Sequence, residues 1–250
     1  MSAAALIASL ALGTAAAPQA QPPLRYPERT DAPVLVQDKI ILAGDSIMAP
    51  HSGWGGAFCA HRVHAAVVCV NLGRGGRSTR SYRAEGSWDM MLAEARVPGY
   101  RQTYVVLGFA HNDGNTPADR WTEVETEFPA NLRRQVAEVR AAGAVPILST
   151  PLARRVFNPD GSVVNAIAPY AEAIRRVAAE TETPLIDLNH LSTQLFEARG
   201  KAWSDRHAQR LPDQPPVPLG VSDGIGGTYA PQMRYDNVHL GRDGADFYAA

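Results

Sequence analysis

The sequence predicts an α/β protein, a three-layer α/β/α sandwich around a parallel five-stranded sheet. Three observations carry that prediction. Five short apolar runs alternate with helical patterns along the chain. The runs lack polar alternation, as strands covered on both faces do. And 250 residues, 45% hydrophobic and 20% charged, suffice to bury a core without metals or disulfides. Strands alternating with helices read as a parallel sheet with helices on both faces. Right-handed crossovers then place the functional loops at the carboxyl ends of the strands.

The elements follow in order. Residues 1–20 are expected to be a signal peptide, because Ala3 to Ala17 is an apolar run of mostly small residues, too short to span a bilayer. No Lys or Arg precedes that run, so a disordered Ala-rich extension stays open as the other reading. The Pro-rich stretch 21–36 reads as a linker and 37–250 as the folded domain, which implies a secreted or periplasmic protein. Strands are expected at Lys39–Ala43, Ala66–Val70, Thr103–Leu107, Val145–Leu148 and Pro184–Ile186, each β-branched or apolar and flanked by turn residues. Helices are expected near Gly55–Val63, Trp88–Ala95, Glu123–Ala142, Pro169–Glu180 and Leu191–Ala198. The third of these sets Val124, Phe128, Leu132, Val136 and Val139 at helical spacing, with Gly143 as its C-cap. Ser204–Pro231 is a Pro/Gly-rich stretch without periodicity, of the kind that is functional or mobile. The closing helix after Gly244 is short, which suggests a truncated C-terminal helix. Cys59 and Cys69 are read as two buried thiols in preference to a disulfide, although an exported chain permits the bond.

Composition excludes several classes of function. A net charge of −1 provides no broad field for nucleic acid or anionic lipid. The mature form is therefore expected to have no nucleic-acid or membrane partner, and a monomer is expected. His61 and His64 share a helix face, but no third ligand is evident and H-E-x-x-H is missing, so no metal is expected. The glycines at 73, 75 and 76 lack G-x-G-x-x-G or G-K-[ST] spacing, so no nucleotide cofactor is expected.

The chemistry concentrates at the strand ends. The first strand runs into Gly44-Asp45-Ser46, which sets a serine where α/β folds present reactive groups. Serine needs a base to attack. Asp236-Asn237-Val238-His239 supplies one, with a carboxylate close enough in sequence to orient the imidazole. The order Ser…Asp…His matches α/β-hydrolases, yet no G-x-S-x-G elbow occurs. A developing oxyanion needs donors: the glycine N–H groups of Asn71–Ser78 and the amide of Asn112 lie in the next two strand-end loops.

These four blocks together resemble the signature of the SGNH (GDSL) hydrolases, which have a flavodoxin-like sandwich. AGDSIMA, GWG, GGRSTRSYRAEG, FAHND and TPLARRVF resemble the rhamnogalacturonan acetylesterase group, carbohydrate esterase family 12, from about Lys39 to the C-terminus. The resemblance implies Ser46 as nucleophile, His239 as base and Asp236 as its orienter. It implies an oxyanion hole made of the Ser46 N–H, the Gly76 N–H and the Asn112 amide. Ala110 departs from the pattern, standing where the family has glycine, with a methyl that narrows the cleft or demands different backbone angles.

The substrate implied is an acetylated polysaccharide or oligosaccharide, with pectic rhamnogalacturonan foremost. Candidate contacts are Trp54 for sugar stacking, His111, and Arg77, Arg80 and Arg154 for uronate carboxylates. Arg74 and Arg83 belong to the same three-residue series as Arg77 and Arg80, Arg154 and Arg155 invite the same reading with less support, and Trp88, Trp121 and Trp203 are expected in the core. A lipase, lysophospholipase or thioesterase would share the catalytic set. A non-catalytic glycan-binding protein on the same fold is the remaining alternative.

Overall fold

Every predicted apolar run forms a strand. The strands are β1 (Gln37–Gly44), β2 (Val67–Asn71), β3 (Tyr100–Gly108), β4 (Val145–Ser149) and β5 (Leu185–Ile186). They were identified in a computed structural model that describes residues 37–114, 118–211 and 236–250. The expected signal peptide and linker, and the expected loop from residue 212 onward, lie outside the described residues. All neighbouring strands pair in parallel, in the order β2-β1-β3-β4-β5. The chain leaves β1 toward β2 on one side and returns to β3 on the other. The switch point of the sheet therefore lies between the carboxyl ends of β1 and β3, where a crevice opens in such folds.

Alternate residues of the central strands point to opposite faces, and each face has its own core. Ile41, Ala43, Val105 and Leu107 pack with Trp88, Phe128, Leu132, Val136 and Ile174. These come from α3 (Ser87–Ala95), α4 (Glu127–Ala141) and α5 (Ala168–Glu180). Leu42 and Val106 face the other way, onto Ile47, Met48, Trp54, Leu152 and Leu240. Two cores on one sheet make the three layers that the sequence predicts. Burial of each such large side chain stabilises by about 1.5–3 kcal/mol.

Local chemistry explains where the helices differ from expectation. The third predicted helix begins at Glu127 because the Glu123 carboxylate accepts the N–H groups of Glu125 and Thr126, closing a turn there. It ends as expected, with Gly143 at φ +79°. The Gly55–Val63 segment is a three-residue turn, α1 (Gly55–Ala57), followed by a π turn over Phe58–Arg62. A helix the sequence reading missed, α2 (Thr79–Ala84), starts at a reciprocal Ser78/Ser81 capping box. The remaining helices are α6 (Leu188–Arg199), α7 (Lys201–Asp205) and α8 (Arg242–Tyr248), the last of seven residues.

The cysteines are not free thiols. Cys59 in the π turn and Cys69 in β2 are disulfide-bonded with Cα atoms 5.4 Å apart. The pairing arises because the first crossover folds directly back over the edge strand.

Candidate functional site

The Gly44–Ser46 turn is built by close backbone approach. A side chain at Gly44 would come within 2.3 Å of the Gly108 carbonyl oxygen, so only glycine lets β1 and β3 stay paired to their ends. Asp45 then turns the chain. Its N–H donates to the Gly108 carbonyl at 3.0 Å, and its carboxylate accepts the N–H of Ile47 at 2.9 Å and of His111 at 3.2 Å. Asp45 thereby joins the first block to the third. Burial pushes its carboxyl up to about 6, against the pull of those N–H bonds. Ser46 follows, 7% exposed, with its carbonyl accepting the Ser52 hydroxyl at 2.7 Å.

Ser46 meets the last block of the chain. The His239 Nε2 lies 2.8 Å from Ser46 Oγ, and His239 Nδ1 lies 2.8 Å from Asp236 Oδ2. The carboxylate fixes the proton on Nδ1 and leaves Nε2 to accept from the serine. The other Asp236 oxygen accepts the N–H groups of Val238 at 2.9 Å and His239 at 2.8 Å. Burial opposes the Asp236 charge, but the His239 ring and these N–H groups overcome it and hold the carboxyl at about 2. The acid thus stays ionised beside the imidazole.

Arg155 grips this turn from inside. Its Nη2 donates to the Asp236 carbonyl at 2.9 Å and the His239 carbonyl at 2.6 Å, while its N–H donates to the Asn237 carbonyl at 2.9 Å. The residue is 1% exposed, so it points into the protein and not toward a substrate. Its neighbour in sequence, Arg154, is partly buried and forms no ion pair among the described residues, and its Nε has no hydrogen-bond partner.

The loop after β2 forms the opposite wall. Asn71 donates its amide to the Met48 carbonyl at 2.9 Å, and Arg74 N–H donates to the Gly44 carbonyl at 2.9 Å, which ties the loop to the Gly44–Ser46 turn. A Cβ built on Gly75 would lie 3.8 Å from that of Ser46. Gly76 adopts φ +76°. The Asn112 amide donates to the Arg77 carbonyl at 3.1 Å, bringing the second and third blocks together beside the serine. Asp113, fully buried, accepts from Thr79 and Thr122, and burial pushes it up to about 7. Ala110 takes φ +150°, a backbone conformation that favours glycine. Its methyl is wholly buried in the first core and does not narrow the cleft.

Most predicted substrate contacts have other partners. Trp54 is 7% exposed and packs edge-on to Phe58, so it is a core residue. His111 is buried, and burial followed by the charge of Arg154 holds it down to about 3, as a neutral structural ring. Arg77 bonds Glu85 at 2.9 Å and the Gly75 carbonyl at 2.7 Å. Arg80 forks onto Glu127 and donates to the Ala118 carbonyl at 3.0 Å. Arg74 and Arg83 hold Glu85 and Glu138. Local excess of arginine beside the loop is balanced by the nearby Glu85 and by Glu127 and Glu138 from the distant helix α4. Trp121, expected in the core, is 42% exposed, whereas Trp88 is fully buried. Trp203 lies edge-on to Phe247 and close to His207.

Known proteins give an independent comparison. Residues 42–246 match the model of the GDSL-like lipase/acylhydrolase family. The chain is 30% identical to the rhamnogalacturonan acetylesterase RhgT of Bacillus subtilis (strain 168), over 83% of this chain and 84% of that one. The crystal structure of YxiM from Bacillus subtilis is similar with a TM-score of 0.65 and 27% identity. It covers 86% of this chain, which spans about half the length of YxiM. The acetylxylan esterase Axe2 of Geobacillus stearothermophilus shares the fold, with a TM-score of 0.57 and 17% identity over 86% of this chain and 93% of that one.

Proposed function

Since the chain belongs to the GDSL-like lipase/acylhydrolase family, we propose that it is a serine esterase that removes O-acetyl groups from a polysaccharide, with pectic rhamnogalacturonan as the substrate. The observation that carries this reading is the continuous hydrogen-bond series Asp236–His239–Ser46, 2.8 Å at both links.

In this mechanism Ser46 Oγ attacks the acetyl carbonyl while His239 Nε2 takes its proton, and Asp236 stabilises the imidazolium. The oxyanion rests on the N–H groups of Ser46 and Gly76 and the amide of Asn112. Collapse breaks the ester bond, and His239 returns the proton to the departing sugar hydroxyl. Water, deprotonated by His239, then attacks the acetyl-serine and releases acetate. The Asn112 amide has a second N–H beyond the one on the Arg77 carbonyl, free in valence for the oxyanion. We place the protein outside the cytoplasm, a reading supported by the Cys59–Cys69 bond, since such bonds persist in oxidising compartments.

The test is acetate release from acetylated rhamnogalacturonan, acetylated xylan and a long-chain aryl ester, for wild type, Ser46→Ala and Asn112→Ala. Release from the pectic substrate is expected to vanish in Ser46→Ala and to fall by about 10²–10³ in Asn112→Ala. Turnover confined to xylan or to the long-chain ester would overturn the substrate, and turnover indifferent to Ser46 would overturn the mechanism.

A further inference from the structure

A cation that no sequence pattern singles out stands over the wall of the acyl site. The segment Ala118–Thr122 is anchored at both ends. Arg80 donates to the Ala118 carbonyl at 3.0 Å. Thr122 donates its N–H to the Asp113 carbonyl and its hydroxyl to the Asp113 carboxylate, both at 3.0 Å. Between these anchors Arg120 lies against Gly76: a Cβ built on that glycine would meet Arg120 Nη1 at 3.2 Å and Cζ at 3.7 Å. The preceding residue, Gly75, is the one whose side-chain direction ends 3.8 Å from the Ser46 Cβ. Absence of a side chain at position 76 therefore serves two needs, the φ of +76° and the seat of the guanidinium.

The charge of Arg120 is only loosely engaged. Its ion pair is with Asp119, the adjacent residue, at 3.9 Å, and the two side chains are 40% and 67% exposed. Such a pair contributes little and yields readily to a better partner. Arg77, Arg80 and Arg83 differ, each hydrogen-bonded directly to a carboxylate less exposed than that of Asp119. A guanidinium presents a planar fork that matches a carboxylate with two parallel N–H donors.

We propose that Arg120 is a substrate-binding residue that receives the carboxylate of a uronic acid beside the acetylated sugar. The inference rests on the acetylesterase reading and adds to it the residue that makes the site favour an acidic glycan. A neutral acetylated glycan occupies the same acyl site without this contact.

Two measurements separate the inference from that reading. The first is binding of an oligogalacturonate to Ser46→Ala protein, by titration calorimetry, with and without Arg120→Gln. Arg120→Gln is expected to weaken binding about tenfold, the low end for hydrogen bonds to a charged group, as befits a half-exposed one. Arg120→Lys is expected to recover part of the loss. Raising the salt concentration should weaken the arginine form and leave the glutamine form nearly unchanged. The second is acetate release from an acetylated acidic oligosaccharide and from its methyl-esterified counterpart, where the acid-to-ester ratio of kcat/KM should fall in Arg120→Gln. Unchanged oligogalacturonate binding, or an equal loss on acid and ester, overturns the proposal. Arg120-dependent binding without Ser46-dependent release from any glycan would keep the carboxylate site and overturn the acetylesterase reading.

Discussion

At the scale of single residues, the groups proposed to carry the reaction were readable, and those that hold them in place were not. Ser46, Asp236, His239 and Asn112 announce themselves by residue type at strand ends. Asp45 and Arg155 act through backbone atoms, and backbone contacts leave no residue pattern to recognise. Arg155 holds the carbonyls of both Asp236 and His239 with one nitrogen. Loss of that grip lets the imidazole wander relative to Ser46, and misplacement by about 1 Å costs about 10²-fold in rate. Arg155→Gln is thus expected to lower kcat on an aryl acetate about 10²-fold with KM little changed. A matching rise in KM, seen in steady-state kinetics, would show the site itself had collapsed. Ala110 carries the opposite kind of information. At φ +150° an alanine is strained where a glycine is not, a cost of order 1–3 kcal/mol. Ala110→Gly is expected to raise stability by about 1 kcal/mol, after the greater freedom of glycine in the unfolded chain is subtracted. Urea denaturation measures it, and a destabilised variant would mean the buried methyl matters more than the strain.

At the scale of elements, strands were clear because a strand buried on both faces has no polar residue to disguise it. Helices were clear only where their apolar spacing is long. Helix α2 has six residues, too few for a period to show, and its start is set by the Ser78/Ser81 capping box. The first crossover was read as a regular helix, but its short α turn opens into a π turn that carries Cys59 onto β2. Whether two cysteines ten residues apart can bond depends on that geometry, which no spacing encodes. Closing a loop of this size is worth about 2–3 kcal/mol. Reduction, or Cys59→Ser with Cys69→Ser, is expected to lower unfolding stability by that amount while Ser46-dependent turnover persists below the melting temperature. Equal melting of the reduced and oxidised forms would contradict it.

At the scale of the whole molecule, burial of carboxyl groups near the switch point leaves a pH signature. Asp45 and Asp113 ordinarily titrate near 3.8, but burial raises them to about 6 and about 7. Between pH 4 and 7 the native state keeps protons that the unfolded chain has released, so their effect is to lower stability as pH rises through that window. Asp236 and Asp187, each held at about 2, act the other way: their contribution is complete above about pH 4 and is lost as pH falls toward 2. His111, held at about 3, works against this below about pH 6.5, where the unfolded ring takes up a proton that the native one does not; the two buried carboxyls together outweigh it, so the melting temperature is expected to be higher near pH 5 than at pH 7. Calorimetry at the two values tests this, and Asp113→Asn should flatten the decline. An equally steep decline in the variant would contradict the assignment to Asp113. The sequence by itself determined the layered architecture and the residues that meet in the Asp236–His239–Ser46 series. Hydrophobic runs, turn residues and a reactive set at strand ends are local signals that survive in one dimension. The tertiary structure alone decided which arginines are balanced and which stand open, that the cysteines bond, and that Arg155 clamps the His239 turn. Each of these depends on how the folded backbone brings particular groups within a few ångströms, and charge pairing and burial have no existence until it does.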